Sequence, residues 1–134
     1  MAQQKSSPVK IAIIEDDSCN RFYLEMVIKK MDCQPIIIDN PKQSIEILHK
    51  EKPHIVLLDI KLSDEISGID IAKLMKSDEF LKSVPIIVVS AFAVANEVKE
   101  ISHKTKCDSY ITKPFSVDNL IDVITEQLFF RYGD

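Results

Sequence analysis

The sequence predicts an α/β fold, a doubly wound sheet of five parallel strands with five helices. Short aliphatic runs such as residues 11–14 and 55–58 are typical of strands that helices cover on both faces. Longer segments between such runs repeat apolar residues every three or four positions, as the buried side of a helix does. The two kinds of segment alternate five times with short connections, which favours an open parallel sheet between two layers of helices.

The first half of the chain supplies two strands and two helices. Residues 9–15 are predicted as the first strand, and Ser18 begins the first helix. The inward stripe of that helix consists of Leu24, Val27, Ile28 and Met31. Residues 36–38 are predicted as a short second strand. Asn40-Pro41 starts the second helix, because asparagine is a frequent cap and proline fits the first helical turn.

The second half of the chain supplies three strands and three helices. The strands are predicted at residues 54–59, 84–90 and 109–112. The third helix follows Gly68, and Ser116 caps the fifth. Apolar residues at helical spacing mark the three helices: Ile69, Ala72 and Met75, then Val94, Val98 and Ile101, then Val117, Leu120, Ile121, Ile124 and Leu128.

The length of 134 residues is that of one domain with a substantial core. We expect residues 1–8 to form a flexible N-terminal tail, residues 9–130 the domain and residues 131–134 a C-terminal tail. Since the chain ends at Asp134, we expect no room for a further output domain.

Charge and cysteine usage narrow the classes of function. The net charge of -4 and the lack of a basic stripe predict that the protein does not bind nucleic acid. No apolar stretch approaches membrane-spanning length, which predicts no insertion into a membrane. The three cysteines are far apart and outside any CxxC pattern, which indicates reduced thiols in a cytoplasmic protein.

Acidic residues follow two of the predicted strands, and a lysine follows another. Glu15-Asp16 end the first strand, Asp59 the third and Ser90 the fourth, while Lys113 comes directly after the fifth. Ligands of parallel sheets gather outside the carboxyl ends of the strands, so these side chains are predicted to lie together at one edge. Carboxylates placed so closely repel one another and favour a bound divalent cation.

Together these groups fit phosphoryl transfer onto an aspartate. Mg2+ takes one or two carboxylates together with phosphate oxygens, which suits the acidic residues at this edge. Asp59 would be the carboxylate nucleophile, Lys113 the mobile positive charge and Ser90 a hydroxyl for the phosphoryl oxygens. Any single acidic residue at a strand end is commonplace, but four strand ends with complementary groups favour a reactive site.

The chain resembles the receiver domains of two-component response regulators over residues 9–128. The matching residues are the acidic pair Glu15-Asp16, the phospho-acceptor Asp59, the switch pair Ser90-Ala91, the switch aromatic Tyr110 and the motif Lys113-Pro114-Phe115. The resemblance implies the flavodoxin-like (CheY-like) strand order 2-1-3-4-5.

The resemblance also implies a role for each site residue. Asp59 would accept a phosphoryl group from a phosphohistidine of a histidine kinase or a histidine phosphotransferase. Mg2+ would be held by Asp16 directly, by Glu15 through water, by Asp59 and by the backbone carbonyl of Lys61. Lys113 would hold the phosphoryl oxygens in the transition state.

Ser90 and Tyr110 form the implied switch, in which Ser90 moves to the phosphoryl group and Tyr110 turns inward. The signal would reach a downstream protein through the face of the fourth helix, fifth strand and fifth helix. The protein would be a monomer or a weak, phosphorylation-linked dimer. It would promote its own phosphotransfer and dephosphorylation rather than act as an enzyme on other substrates. The aromatic residues near the end of the last helix either belong to such a face or cover the core: Phe129, Phe130 and Tyr132.

The chain departs from the family pattern beside the phospho-acceptor. Ser63 replaces a usual proline and Gly68 comes one residue late, so residues 62–67 are predicted as a longer loop. Lys61 stands where the backbone carbonyl would bind the metal. Its side chain leaves that carbonyl available but would alter the access of water to an acyl phosphate.

Two other classes of function compete with a phosphorylated switch. A receiver that binds partners without phosphorylation is one alternative, although the full set of site residues is present. An aspartate-nucleophile phosphatase of the haloacid dehalogenase type is the other. Such an enzyme needs an aspartate two residues beyond the nucleophile as acid and base, and Lys61 occupies that position.

Overall fold

A computed structural model describes residues 8–62 and 65–133 of the chain. Of the predicted N-terminal tail only Pro8 is among them. Ser63 and Asp64, which belong to the predicted longer loop, and Asp134 lie outside the described residues.

Five strands and five α-helices alternate along the described residues, as predicted. The strands are β1 (Lys10–Ile14), β2 (Gln34–Ile38), β3 (Ile55–Leu58), β4 (Ile86–Ser90) and β5 (Ser109–Thr112). The helices are α1 (Ser18–Lys30), α2 (Ser44–Glu51), α3 (Gly68–Ser77), α4 (Ala95–Thr105) and α5 (Val117–Tyr132). Two short 3-10 helices precede α2 and β4 at Pro41–Gln43 and Leu81–Ser83.

The five strands form one parallel sheet in the order β2-β1-β3-β4-β5, which confirms the predicted order. The order reverses at β1, whose neighbours are β2 on one side and β3 on the other. Ile14 pairs with Leu58 across β1 and β3. The residues that leave these two strands, Glu15 and Asp59, are therefore neighbours at the carboxyl edge, where such sheets bind their ligands.

Helices cover both faces of the sheet, and alternate strand residues face different helix layers. Ile11 and Ile13 of β1 belong to one buried cluster with residues of α1 and α5. Ala12 and Ile14 belong to a second cluster with residues of α2 and α3. Each fully buried large aliphatic side chain contributes about 1.5–3 kcal/mol relative to exposure, so both layers stabilise the sheet. No helix of the described residues is long and apolar enough to cross a membrane.

Capping side chains begin α1 and α5, whereas the predicted cap of the second helix begins a 3-10 helix. The Asp17 side chain accepts a hydrogen bond from the Asn20 amide at 2.9 Å and caps α1. The Ser116 hydroxyl likewise accepts from the Asn119 amide at 3.0 Å and caps α5, as predicted. Asn40 accepts from the Lys42 amide, but the segment that it begins is the 3-10 helix, and α2 follows only at Ser44.

The last helix continues past residue 130, the predicted end of the domain. Arg131 lies 2.9 Å from the Asp108 carboxylate and also bonds the Ser83 carbonyl. The Tyr132 hydroxyl donates to the His54 carbonyl at 2.8 Å. These contacts join the end of α5 to the edge of the sheet opposite Glu15 and Asp59.

Candidate functional site

Three carboxylates converge at the carboxyl edge of the sheet. Glu15 and Asp16 follow β1 and Asp59 follows β3, and one oxygen from each lies within 4.8 Å of the others. Glu15 and Asp59 are only 2% and 8% exposed, whereas Asp16 is exposed. They line a cavity of about 570 Å3 together with Lys61, Leu62, Ser90, Ala91, Phe92, Lys113, Asp17 and Asn20.

Lys113 supplies the positive charge of the site. Its Nζ atom lies 3.0 Å from Oε1 of Glu15 and 3.6 Å from Oδ2 of Asp59. The backbone amide of Lys113 donates to the Ser90 carbonyl at 2.8 Å, which ties the end of β5 to the end of β4. A cis peptide bond joins Lys113 to Pro114. One ammonium group thus faces two buried carboxylates, which leaves the cluster with excess negative charge.

Burial and the surrounding charge both change the acidity of Asp59. Burial, and next the repulsion from Glu15, raise the pKa of Asp59 from 3.8 to about 7, although Lys113 acts in the opposite direction. A bound divalent cation would favour the ionised carboxylate and oppose both causes. The donor set is all oxygen, which is the set that Mg2+ prefers.

Backbone contacts hold the acidic loop after β1 in place. The second carboxylate oxygen of Glu15 accepts from the Asp17 amide at 3.3 Å. The Arg21 guanidinium donates to the Glu15 carbonyl at 3.1 Å. Sequence reasoning did not identify Arg21, although a basic residue in the first turn of a helix, where acidic residues are favoured, was a visible signal.

The N-terminus of α3 packs directly against the segment that carries Asp59. The Gly68 amide donates to the Ile60 carbonyl at 2.7 Å. A Cβ atom on Gly68 would lie 2.1 Å from the Asp59 carbonyl oxygen, so only glycine fits there. The side chains of Ser67 and Asp70 form a reciprocal capping box around this helix start. The N-terminus of α3 therefore holds the backbone of Asp59 in place.

Phe92 joins the two predicted switch residues through its backbone. The Phe92 amide donates to the Ser90 hydroxyl at 3.1 Å. The Tyr110 hydroxyl donates to the Phe92 carbonyl at 2.7 Å. Tyr110 is partly buried, and burial raises the pKa of its hydroxyl. Sequence reasoning paired Ser90 with Tyr110 but did not find the residue that links them.

The predicted site residues thus lie at one end of the molecule. Six of them line the acidic cavity: Glu15, Asp16, Asp59, Lys61, Ser90 and Lys113. Lys61 is exposed at the rim of that cavity. Tyr110 does not line it, but its hydroxyl donates to the carbonyl of Phe92, which does.

A five-stranded parallel sheet in the order β2-β1-β3-β4-β5, with acidic residues and a lysine at its switch point, defines a flavodoxin-like α/β domain. The chain belongs to the response regulator receiver domain family, whose sequence profile matches residues 11–125.

Relatives within this family cover nearly the whole chain. The polar-differentiation response regulator DivK of Brucella anthropi is 31% identical over 121 residues, which are 90% of this chain and 97% of that protein. DivK of Brucella ovis is 30% identical over 118 residues, 88% of this chain and 94% of that protein. The predicted likeness to receiver domains is confirmed, and the relatives carry the name of a response regulator.

Solved structures share the fold at lower identity. The chemotaxis protein CheY4 of Vibrio cholerae superposes with a TM-score of 0.83 at 14% identity, covering 91% of this chain and 100% of that one. The receiver domain of the sensor histidine kinase PA1611 of Pseudomonas aeruginosa gives 0.82 at 19% identity and covers 91% of this chain and 98% of that one. That structure contains a magnesium ion coordinated in its active-site cleft.

Proposed function

We propose that this protein is a phosphorelay switch in which Asp59 accepts a phosphoryl group from a phosphohistidine. The donor would be a histidine kinase or a histidine phosphotransferase. The observation that carries the proposal is the position of the Lys113 ammonium, 3.0 Å from Glu15 and 3.6 Å from Asp59, in a chain that belongs to the receiver family.

The acidic cluster fits a magnesium ion. Asp16 and Asp59 would hold it directly, Glu15 through water and Lys61 through its backbone carbonyl. The ion would neutralise charge on the carboxylates and on the phosphoryl oxygens when bound. The magnesium ion in the cleft of the PA1611 receiver domain supports this assignment.

Transfer requires an ionised Asp59. A carboxylate oxygen of Asp59 attacks phosphorus, the bond from phosphorus to the histidine nitrogen breaks, and its electron pair stays on the imidazole. The proton that a pKa of about 7 leaves on part of the Asp59 population must depart first. Lys113 favours the ionised form and is placed to meet a phosphoryl oxygen as charge develops in the loose transition state.

The phosphodonor has an apolar surface to bind beside the site. Phe22 and Met26 of α1 are 64% and 54% exposed, and Tyr23 packs against Phe115 with 5.5 Å between ring centroids. A second cavity lies there, lined by Asn20, Tyr23, Leu24, Lys113, Pro114 and Phe115. The phosphohistidine must reach Asp59, so the protein that carries it must contact the surface around the acidic cavity. Exposed apolar side chains that lie together there are suited to such a contact.

The phosphoryl group would act on the switch through Phe92. When the Ser90 hydroxyl turns to a phosphoryl oxygen, the Phe92 amide loses its present acceptor. The loop between β4 and α4 is then free to shift, and Tyr110, which bonds the Phe92 carbonyl, moves with it. A tenfold population change needs about 1.4 kcal/mol, within the range of a charge-assisted hydrogen bond.

The output would pass through the face of α4, β5 and α5 to a downstream protein. We infer a cytoplasmic monomer, or a weak dimer in the phosphorylated state, that catalyses its own dephosphorylation. The elements of that face adjoin Ser90 and Tyr110, which supports its role as the surface that responds to phosphorylation.

Acetyl phosphate with Mg2+ tests the proposal. We expect the intact mass of the wild-type protein to rise by one phosphoryl group, and that of Asp59→Asn to stay unchanged. Asp17→Asn is the matched control, because Asp17 lies beside the cluster and asparagine also caps a helix, so this variant should be labelled. A wild-type protein that is never labelled would instead favour the phosphorylation-independent interaction module.

A further inference from the structure

A groove between the last turns of α3 and α4 gathers positive charge on an otherwise acidic protein. The groove has a volume of about 470 Å3 and is lined by Lys73, Lys76, Ser77, His103, Lys104 and Lys106. The whole chain has 17 lysine and arginine residues against 21 aspartate and glutamate residues. The four lysines therefore make this groove locally positive on a protein whose net charge is negative.

This groove lies at the end of the molecule opposite to Asp59. Both helices start at the carboxyl edge of the sheet and run back, so their ends at Ser77 and Thr105 lie at the other edge. The groove and the acidic cavity share no lining residue among those described. The basic groove is therefore not part of the phospho-acceptor site.

The positive charge of the groove is largely uncompensated. Lys104 pairs with Glu100 at 3.1 Å. Within residues 8–62 and 65–133, no ion pair involves Lys73, Lys76 or Lys106. Lys73 and Lys76 also stand one helical turn apart, where like charges repel. A lysine near a helix C-terminus complements the helix dipole, but that effect does not account for two helices that point their lysines into one groove.

Among the described residues, Lys106 is one of three non-glycine residues with a positive φ, together with Asp32 and Lys52. Lys106 ends α4 in the left-handed region with a φ of 54°, where glycine is the favoured residue. The chain places a long cationic side chain at this strained position, and that side chain lines the groove.

We propose that the basic groove binds a small ligand that carries two or more linked phosphate groups. The groove is open to solvent, so it suits a ligand that is held by charge rather than by enclosure. Lysine ammonium groups are mobile point charges that bind phosphate. Apart from His103, the described lining residues offer no ring for a base to stack on, so the phosphate moiety is the recognised part. The net charge of -4 disfavours long polyanions, which need a broad basic face.

Calorimetric titration of the protein with inorganic triphosphate tests this proposal. The buffer should contain no Mg2+, since a magnesium complex would also be attracted to the acidic cluster. The groove variant is Lys76→Gln with Lys106→Gln, both at helix ends. Its matched control is Lys29→Gln with Lys30→Gln, which removes the same charge from the last turn of α1.

We expect the wild type to bind triphosphate with an affinity that falls as salt rises. The groove variant should bind at least about tenfold more weakly, and the control within about twofold of the wild type. Amide NMR shifts should centre on residues 73–77 and 102–106. Absence of binding to the wild type, equal weakening in both variants, or shifts centred elsewhere would each overturn the proposal.

Discussion

Asp59 is the residue whose acidity the fold changes most clearly. Burial and the charge of Glu15 raise its pKa from 3.8 to about 7, against the opposing effect of Lys113. The folded protein therefore binds a proton at Asp59 more tightly than the unfolded chain does. The stability of the protein is consequently linked to pH through Asp59.

Asp59→Asn is expected to stabilise the protein in the absence of Mg2+, and increasingly so as the pH rises. In the wild type the stability that the proton supplies is complete below pH 3.8 and is lost as the pH rises through about 7. Asparagine carries no charge at any pH. The difference in Tm between variant and wild type should therefore widen across that window, as thermal denaturation at several pH values would show.

Mg2+ provides the control for this experiment. A bound cation compensates the negative charge of the cluster, so it should raise the Tm of the wild type and narrow the gap to the variant. A gap that is the same at both ends of the pH window would contradict the electrostatic account of Asp59.

At the scale of single residues, the sequence predicted which side chains form the site better than it predicted the contacts made by backbone atoms. Glu15, Asp59 and Lys113 could be found because they follow strand ends that meet at one edge of a parallel sheet. The bond from Arg21 to the Glu15 carbonyl and the bridging role of Phe92 were missed. Both involve main-chain atoms, which every residue type possesses, so only the Arg21 side chain in the first turn of α1 gave a signal.

The start of α3 is the element on which the geometry of the site depends. Gly68 lets this helix approach the backbone of Asp59 so closely that a Cβ atom would meet the Asp59 carbonyl at 2.1 Å. The obstructing atom belongs to the backbone, so no side chain can rotate away. Relief requires the loop after β3 or the whole helix to move.

Gly68→Ala is accordingly expected to destabilise the protein by about 1–3 kcal/mol or more, as overpacking of a tight site does. It should also slow labelling by acetyl phosphate, because Asp59 shifts with the loop. Urea denaturation measures the first effect, with the exposed Lys73→Ala in the same helix as a control expected within about 0.5 kcal/mol of the wild type. Equal stability of Gly68→Ala and wild type would refute this close approach.

Elements were predicted well in type and less well at their ends. Apolar runs and apolar spacing identified the five strands and the five α-helices, because burial on one or both faces dictates that spacing. They did not identify the two short 3-10 helices. The end of α4 at Lys106 gave no signal, since lysine takes the left-handed position usually filled by glycine. The capping box of Ser67 and Asp70 was not predicted, although a serine followed three residues later by an acidic residue is a sign of a helix start.

At the scale of the whole molecule, the strand order decides which residues meet at the carboxyl edge of the sheet. The reversal at β1 brings Glu15 and Asp59 together, and β4 and β5 bring Ser90 and Lys113 to the same edge. This arrangement followed from the sequence because parallel strands have their carboxyl ends on one side. The hydrogen bonds through Phe92 then connect that edge to Tyr110 and the outer elements.

Amide NMR of the protein with Mg2+ and beryllofluoride, which stands in for the phosphoryl group, tests this connection most directly. We expect shifts around Ser90, Phe92 and Tyr110 and along α4 and α5 in the wild type, and none of them in Asp59→Asn. Shifts confined to the acidic residues, with Tyr110 and both helices unchanged, would contradict the account.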